Sequence, residues 1–105
     1  MAIFDMTIPD SARVPAAGVA VGGGLIAAIH IPTGSDNVTF QPQYSPDAGT
    51  TWEPICDESL TPLVITYLTG GALHQINPPI RAPLFRLYGN TGNETGAIVC
   101  EIHTV

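Results

Sequence analysis

The sequence predicts an all-β protein, an antiparallel β-sandwich or a jelly-roll-like barrel of about seven to eight short strands. Three observations predict this class. Eleven glycines and ten prolines are spread through the 105 residues between short apolar runs, which leaves no room for a long helix. Several of these runs alternate apolar and polar residues, as half-buried strands do. One connection, residues 45–52, has the composition of a tight hairpin turn.

Eight segments have the apolar, β-branched or aromatic composition expected of strands, and turn residues bound them. In chain order they are residues 3–8, 25–31, 38–44, 51–56, 63–68, 73–76, 84–88 and 97–105. The alternation is clearest in the last of these, where Cys100 and Ile102 fall on one face and Glu101 on the other. Residues 38–44 alternate in the same way.

The first 24 residues are the least sheet-like part of the chain. Residues 13–24 are rich in Val, Ala, Gly and Pro and follow neither the strand period nor the helix period. We therefore predict an extended N-terminal arm or a long loop over residues 1–24, although residues 3–8 have the composition of a strand. The chain as a whole, residues 1–105, is expected to form a single β domain, because this length provides one core and not two.

The turn at residues 45–52 is the most informative pattern in the chain. It reads Ser-x-Asp-x-Gly-x-Thr-Trp, with Ser45, Asp47, Gly49 and Trp52 at its fixed positions. An Asp side chain in a tight turn accepts hydrogen bonds from backbone N–H groups further on, Ser caps the turn from the other side, and Gly supplies a positive φ. The pattern resembles the Asp-box, a hairpin turn that recurs in sialidases and in many unrelated β proteins. The resemblance implies a hairpin but transfers no catalytic residue, and a single copy argues against a propeller.

Charge is scarce in this sequence. Charged residues make up 11% of the chain and hydrophobic residues 45%, lysine is absent, and the three cations are Arg13, Arg81 and Arg86. A small domain with so little charge is expected to cover part of its surface with other subunits; a surface rich in Ser, Thr, Asn and Gln is the alternative. The net charge of −6 disfavours nucleic-acid binding. The apolar stretches are too short and too interrupted for a membrane span, and the first residues lack the basic region of a signal peptide.

No group of side chains has the spacing of a catalytic, cofactor or metal site. His30, His74 and His103 are separated from one another and from other ligand types, so we expect no bound metal. Asp57 and Glu58 are adjacent and would point to opposite faces of a strand, which disfavours an acid–base pair; a loop could bring them together or let them bind calcium. We therefore predict a protein that is not an enzyme and that needs no cofactor.

The two cysteines are Cys56 and Cys100. They could pair across two sheets, but without an export signal we favour two buried, free thiols. Neither has a neighbouring base in the sequence that would activate it.

Candidate interaction residues lie in several parts of the chain. Tyr44 and Trp52 flank the hairpin turn and are the best pair for stacking on a sugar, although packing is the more common use of such rings. Consecutive prolines at 78 and 79 lack backbone N–H groups and must lie at a sheet edge or in a crossing loop. The arginines at 81 and 86 each need a carboxylate partner in this chain or on another subunit. The full set of candidates is Arg13, Val14, Tyr44, Trp52, His74, Pro78, Pro79, Arg81, Arg86, Asn90 and Asn93.

Two longer segments, residues 40–52 and 74–96, resemble small virion proteins of tailed bacteriophages. The first runs from an extended strand into the hairpin turn, and the second contains HQINPPI and then LFRLYGNTGNETG. The resemblance implies a small all-β module, often trimeric, of the kind that decorates or cements a capsid or builds part of a tail. It transfers no functional residue.

Composition and resemblance together predict a non-enzymatic structural protein of the virion, assembled in the host cytoplasm. We expect a homo-oligomer, in particular a trimer, that binds the phage major capsid protein or other virion subunits and stabilises the head by bridging capsid subunits. The alternative is a tail, baseplate or receptor-binding module that binds carbohydrate, with residues 44–52 and 90–96 as its contact surface.

Overall fold

The computed structural model describes residues 2–9, 14–15, 17–32, 39–66, 71–89 and 97–105. This part of the chain contains nine β-strands and no helix. The strands are β1 (Ala2–Ile8), β2 (Val19–Ala20), β3 (Ile26–Ile31), β4 (Thr39–Tyr44), β5 (Glu53–Pro54), β6 (Ile65–Thr66), β7 (Ala72–Ile80), β8 (Leu84–Gly89) and β9 (Ile98–Thr104). The predicted all-β class is confirmed, but the number of strands is nine and not seven to eight.

The strands form two antiparallel sheets. Sheet A has the order β1-β9-β3-β7, and sheet B has the order β2-β8-β4-β5, with β6 also paired to β4. The pairs β1·β9, β2·β8, β3·β7 and β4·β5 are nested, as in one long hairpin, and rolling up that hairpin creates the pairs β3·β9 and β4·β8. This is the strand order of a jelly-roll β-sandwich.

The core lies between the two sheets and is filled by alternate residues of each strand. In β9 the side chains of Ile98, Cys100 and Ile102 are buried, and in β4 those of Phe40 and Pro42 are buried, so both predicted alternations are confirmed. Each large apolar side chain that is fully buried contributes about 1.5–3 kcal/mol to folding. The other large side chains of this core that are fully buried are Met6, Ile8, Ile26, Ile29, Ile31, Phe85 and Leu87.

The N-terminal segment belongs to the sandwich. β1 pairs with β9 from Ala2–Thr104 to Ile8–Ile98, and Ile8 is fully buried. Further on, β2 pairs with β8, and Val21 is buried. The strand predicted at residues 3–8 is therefore confirmed. Within residues 1–24, where an arm or a long loop is predicted, β1 and β2 are paired strands, whereas residues 14–15, 17–18 and 21–24 lie outside strands. A two-residue strand such as β2 is too short to show a period in the sequence.

The bounds of β5, β6 and β7 also differ from the prediction. β5 is two residues long, and β6 begins at Ile65 and not at residue 63, while residues 67–68 of that predicted strand lie outside the described residues. β7 continues past the predicted end at residue 76 and includes Pro78 and Pro79. The Asn77–Pro78 peptide bond is cis. β7 is the last strand of sheet A, so the edge position predicted for the two prolines is confirmed.

Candidate functional site

The turn between β4 and β5 has the hydrogen bonds that its sequence predicts. Ser45 Oγ donates to Asp47 Oδ1 at 2.9 Å and accepts from the Gly49 N–H at 2.7 Å. Asp47 Oδ1 also accepts from the Thr51 N–H at 2.7 Å, and Gly49 has a φ of 98°. The hydrogen bonds from Thr51, followed by the one from Ser45, lower the pKa of Asp47. The side chains therefore satisfy the backbone of this turn, which is a structural role.

A second turn of the same kind lies between β5 and β6, and the sequence analysis missed it. Asp57 Oδ1 accepts from the Ser59 N–H at 2.8 Å and from the Thr61 N–H at 3.1 Å. The two turns share a signal that was available in the sequence, since an Asp is followed four residues later by a Thr in both. This second turn occupies residues 57–61. Residues 53–66 as a whole form the edge of sheet B, and we call these residues the edge hairpin.

Trp52 and Arg86 meet on the outer face of sheet B. The Arg86 guanidinium lies 4.4 Å from the centroid of the Trp52 ring, and its Nε donates to Gln43 Oε1 at 2.7 Å. Burial lowers the pKa of Arg86. No carboxylate among the described residues lies within ion-pair distance of Arg86. A Cβ on Gly18 would overlap the Trp52 ring, so the ring fills the space that this glycine leaves.

The structure does not bring Tyr44 and Trp52 together as one sugar-stacking platform. Tyr44 packs against the core, on the side of β4 opposite to Gln43. Trp52 has Arg86 over one face of its ring. A cavity of 260 Å³ lies beside the ring, between Pro15, residues 17–18, residues 48–49 and β8.

A second surface is the outer face of sheet A, formed by the residues of its strands that point away from the core. Pairing in register places Ile3 beside His103, Val99 beside Thr7, and Leu73 beside His30 on this face. Ile3, Val99 and Leu73 are 55%, 47% and 48% exposed. Three strands of one sheet therefore each present a large apolar side chain to the outside on the same face.

The centre of that face is polar. Glu101 Oε1 lies 3.2 Å from His103 Nε2 and 3.9 Å from His30 Nδ1, and Asp5 is the direct cross-strand neighbour of Glu101. The sequence could not show this cluster, because it depends on the register of three strands that are far apart in the chain. Among the described residues, no group of His, Cys, Asp and Glu has the geometry to hold a metal ion.

The third surface is a groove between the edges of the two sheets, which we call the edge groove. It has a volume of 610 Å³, and its walls are residues 74–78 of β7 on one side and residues 56–59 and 63–66 of the edge hairpin on the other. Pro42 and Ile80 complete the lining. Val64, in the wall formed by the edge hairpin, is 58% exposed.

The edge groove contains an imidazole nitrogen that pairs with no described residue. His74 Nε2 is buried and makes no hydrogen bond to any described residue. Burial, and to a smaller extent the neighbouring His30, lowers the pKa of His74 below its ordinary 6.5, so the ring is neutral at pH 7. Asp57 and Glu58 supply carboxylates to the groove, whereas no Lys or Arg is present among the described residues that line it.

The predicted interaction residues are thus divided among different places. Trp52 and Arg86 are in contact, and His74 and Pro78 share the edge groove, whereas Arg81 is exposed just beyond β7. Val14 and Pro79 lie outside these contacts, in the segment before β2 and at the end of β7. Three candidates fall outside the described residues, namely Arg13, Asn90 and Asn93.

Both cysteines are free thiols, as predicted, but only Cys100 is buried. Cys56 is exposed and lines the edge groove, so the prediction that it is buried is wrong. The reason is that the predicted strand 51–56 shortens to two residues, and Cys56 lies in an irregular hairpin outside the core.

Comparison with known proteins gives no relative from which a role could be carried over. No protein-family model, curated protein or solved structure matches the chain. The described residues include no helix that is long and apolar enough to cross a membrane.

Proposed function

We propose that this protein is a non-enzymatic structural protein of a phage virion, a capsid decoration or cement protein that assembles as a homo-oligomer. The observation that carries the proposal is the outer face of sheet A, where Ile3, Val99 and Leu73 are exposed on β1, β9 and β7, three of the four strands of that sheet. These side chains surround the polar centre formed by Glu101 and its neighbours, so the face offers several separate apolar contacts for association and not one continuous apolar patch.

Two further facts support the proposal. The chain has no lysine and is 11% charged, so it lacks the mixed surface charge that keeps a solitary small domain soluble. The jelly-roll sandwich is an architecture used by viral capsid domains and by lectins, a fold-level analogy that raises the expectation without deciding the function.

The proposed mechanism is mechanical. Identical subunits associate about a rotation axis, which the sequence resemblance suggests is threefold. The outer face of sheet A of each subunit packs against a neighbouring subunit of the oligomer. The oligomer then binds several major capsid subunits at once, and the many weak contacts together give an avidity that no single contact provides. The added buried area holds the shell together against internal pressure.

The test is the mass in solution, measured by size-exclusion chromatography with light scattering at low micromolar concentration. We expect a stable trimer or larger ring for the wild type and a monomer for Val99→Lys, because a charge in an apolar contact is costly to bury. Leu60→Lys is the matched control, since Leu60 is 84% exposed in the second turn, away from sheet A. A wild-type monomer, or the same mass for all three proteins, contradicts association through this face.

The alternative is a tail or receptor-binding module that binds carbohydrate at Trp52. The cavity of 260 Å³ beside the Trp52 ring favours it, and the cover of Arg86 over one ring face limits it. Glycan binding that is lost in Trp52→Ala while the oligomeric mass is kept supports this alternative over the decoration role.

A further inference from the structure

We propose that the edge groove binds an extended segment of another protein, which adds a strand to β7 and carries Lys or Arg beside apolar residues. This inference goes beyond the proposed function, because it concerns a different surface from the outer face of sheet A. In the decoration role proposed above, an extended segment of a capsid subunit would be the occupant of the groove.

The first argument is the free edge. Among the described strands β7 pairs with β3 alone, so no described strand pairs with its other side. Pro78 and Pro79 have no backbone N–H to donate, but residues 72–77 do. Every second residue of a strand directs its backbone N–H and C=O groups to the same side. About three residues of β7 are therefore able to pair with an added strand, which is how extended peptides bind to exposed sheet edges.

The second argument is the shape and chemistry of the groove beside that edge. Its volume of 610 Å³ accommodates side chains of an added strand, and half-exposed Val64 and Ile76 offer apolar contact. His74 Nε2 is buried without a described partner, and leaving a buried polar atom without a hydrogen bond costs free energy. A hydrogen bond from the bound segment would satisfy it.

The third argument is charge. Asp57 and Glu58 line the groove, and the described lining residues include no cation. A segment with Lys or Arg complements these carboxylates. A second copy of this chain is a poor source, because the chain has no lysine and one of its three arginines, Arg86, is already stacked on Trp52.

The experiment selects peptides from a displayed library of random sequences of about twelve residues, long enough to pair along residues 72–77. We expect enriched peptides to contain more Lys and Arg than the starting library and to bind with a Kd of roughly 1–100 μM by fluorescence anisotropy of the labelled peptide. Binding should weaken as salt is raised. A failure to enrich any peptide, or enrichment of acidic peptides, overturns the proposal.

Two matched pairs of variants place the binding in the groove. Glu58→Lys should weaken binding by about tenfold, whereas Glu53→Lys, at another exposed glutamate that lies on β5 outside the groove, should change it less than about twofold. Val64→Ser should weaken binding by roughly three- to tenfold, whereas Leu60→Ser should not. Equal effects within each pair contradict a site in the groove.

His74→Phe separates a binding role from a structural one. The substitution removes the unpartnered nitrogen, so the urea midpoint of the free protein should stay equal or rise, while peptide affinity falls by roughly tenfold. A fall in the midpoint together with unchanged affinity means that His74 only packs the fold, and it contradicts this part of the proposal.

The same variants distinguish this proposal from the proposed function and from a second copy as occupant. Light scattering on Glu58→Lys and Val64→Ser should give the wild-type mass, because the oligomer uses the outer face of sheet A. If these variants alone become monomers, the occupant is a second copy and the proposal is wrong. If the wild type is monomeric and still binds basic peptides in the groove, the proposal holds and the decoration role through sheet A fails.

Discussion

The two sides of this sandwich at which the edges of its sheets meet are built differently, and we call them the closed side and the open side. On one side the edge strands β1 and β2 contact each other, and β1 contributes the buried side chains of Met6 and Ile8. On the other side β7 and the edge hairpin leave the edge groove between them, and His74 Nε2 is buried there without a described partner. One side therefore closes the core, and the other leaves both sheet edges accessible.

The difference shows that the same architecture can close the core at one edge and leave backbone groups accessible at the other. A sheet edge with free backbone groups is a liability, which proteins usually blunt with charge, proline or an irregular strand. On the open side Pro78, Pro79 and the irregular edge hairpin provide such protection in part, while residues 72–77 remain able to pair. We interpret this as protection against indiscriminate pairing that still admits a suitable partner.

The largest expected effect tests whether the two sides differ in packing. Ile8→Ala on the closed side removes a fully buried side chain and should lower the free energy of unfolding by about 2–5 kcal/mol. Ile76→Ala in the edge groove removes a half-buried one and should lower it by less than about 1 kcal/mol. Urea denaturation measures both values. Equal losses would mean that the open side is packed as tightly as the closed side.

A smaller effect is expected from pH, through His74 on the open side. Burial lowers the pKa of His74 below its ordinary 6.5, so as the pH falls the unfolded chain takes up this proton before the folded protein does. The contribution to stability is therefore fully present above pH 6.5 and is lost as the pH falls through the lowered pKa. We expect the wild-type Tm to fall on acidification below this value and His74→Phe to fall less. Superimposable pH profiles of Tm would contradict this assignment.

The smallest effect on stability is expected from thiol modification, which maps the open side chemically. Cys56 is exposed in the edge groove, whereas burial raises the pKa of Cys100 to about 12 and keeps it a protonated thiol in the core. A thiol reagent should modify Cys56 alone in the native protein and both cysteines in urea, and the urea midpoint should not move when Cys56 is blocked. Rapid modification of Cys100 in the native state would show that sheet A opens readily.

The sequence predicted local features well because their causes are local. The Asp47 turn follows from residues within one short segment, and the burial of Phe40, Cys100 and Ile102 follows from period-two alternation. The position of Pro78 and Pro79 at an edge follows from their missing donors.

The candidate surfaces were much less predictable, because they depend on register and on the meeting of distant strands. Ile3, Val99 and Leu73 share a face only through the pairs β1·β9, β9·β3 and β3·β7. The edge groove needs the relative position of two sheets, which no local pattern encodes. His74 was singled out from the sequence, but the sequence did not show that Glu58 and Val64 line the same groove.

The nested pairing of the strands has a consequence for how this chain reaches its native state. β9, at residues 98–104, lies in the interior of sheet A, between β1 and β3. The complete sheet A therefore cannot form before β9 has been synthesised, and β1 must wait for its partner at residues 98–104. Folding dominated by such distant pairings is slow. During that wait the apolar residues of β1 and β3 are exposed, so the period of greatest aggregation risk falls before the native state forms.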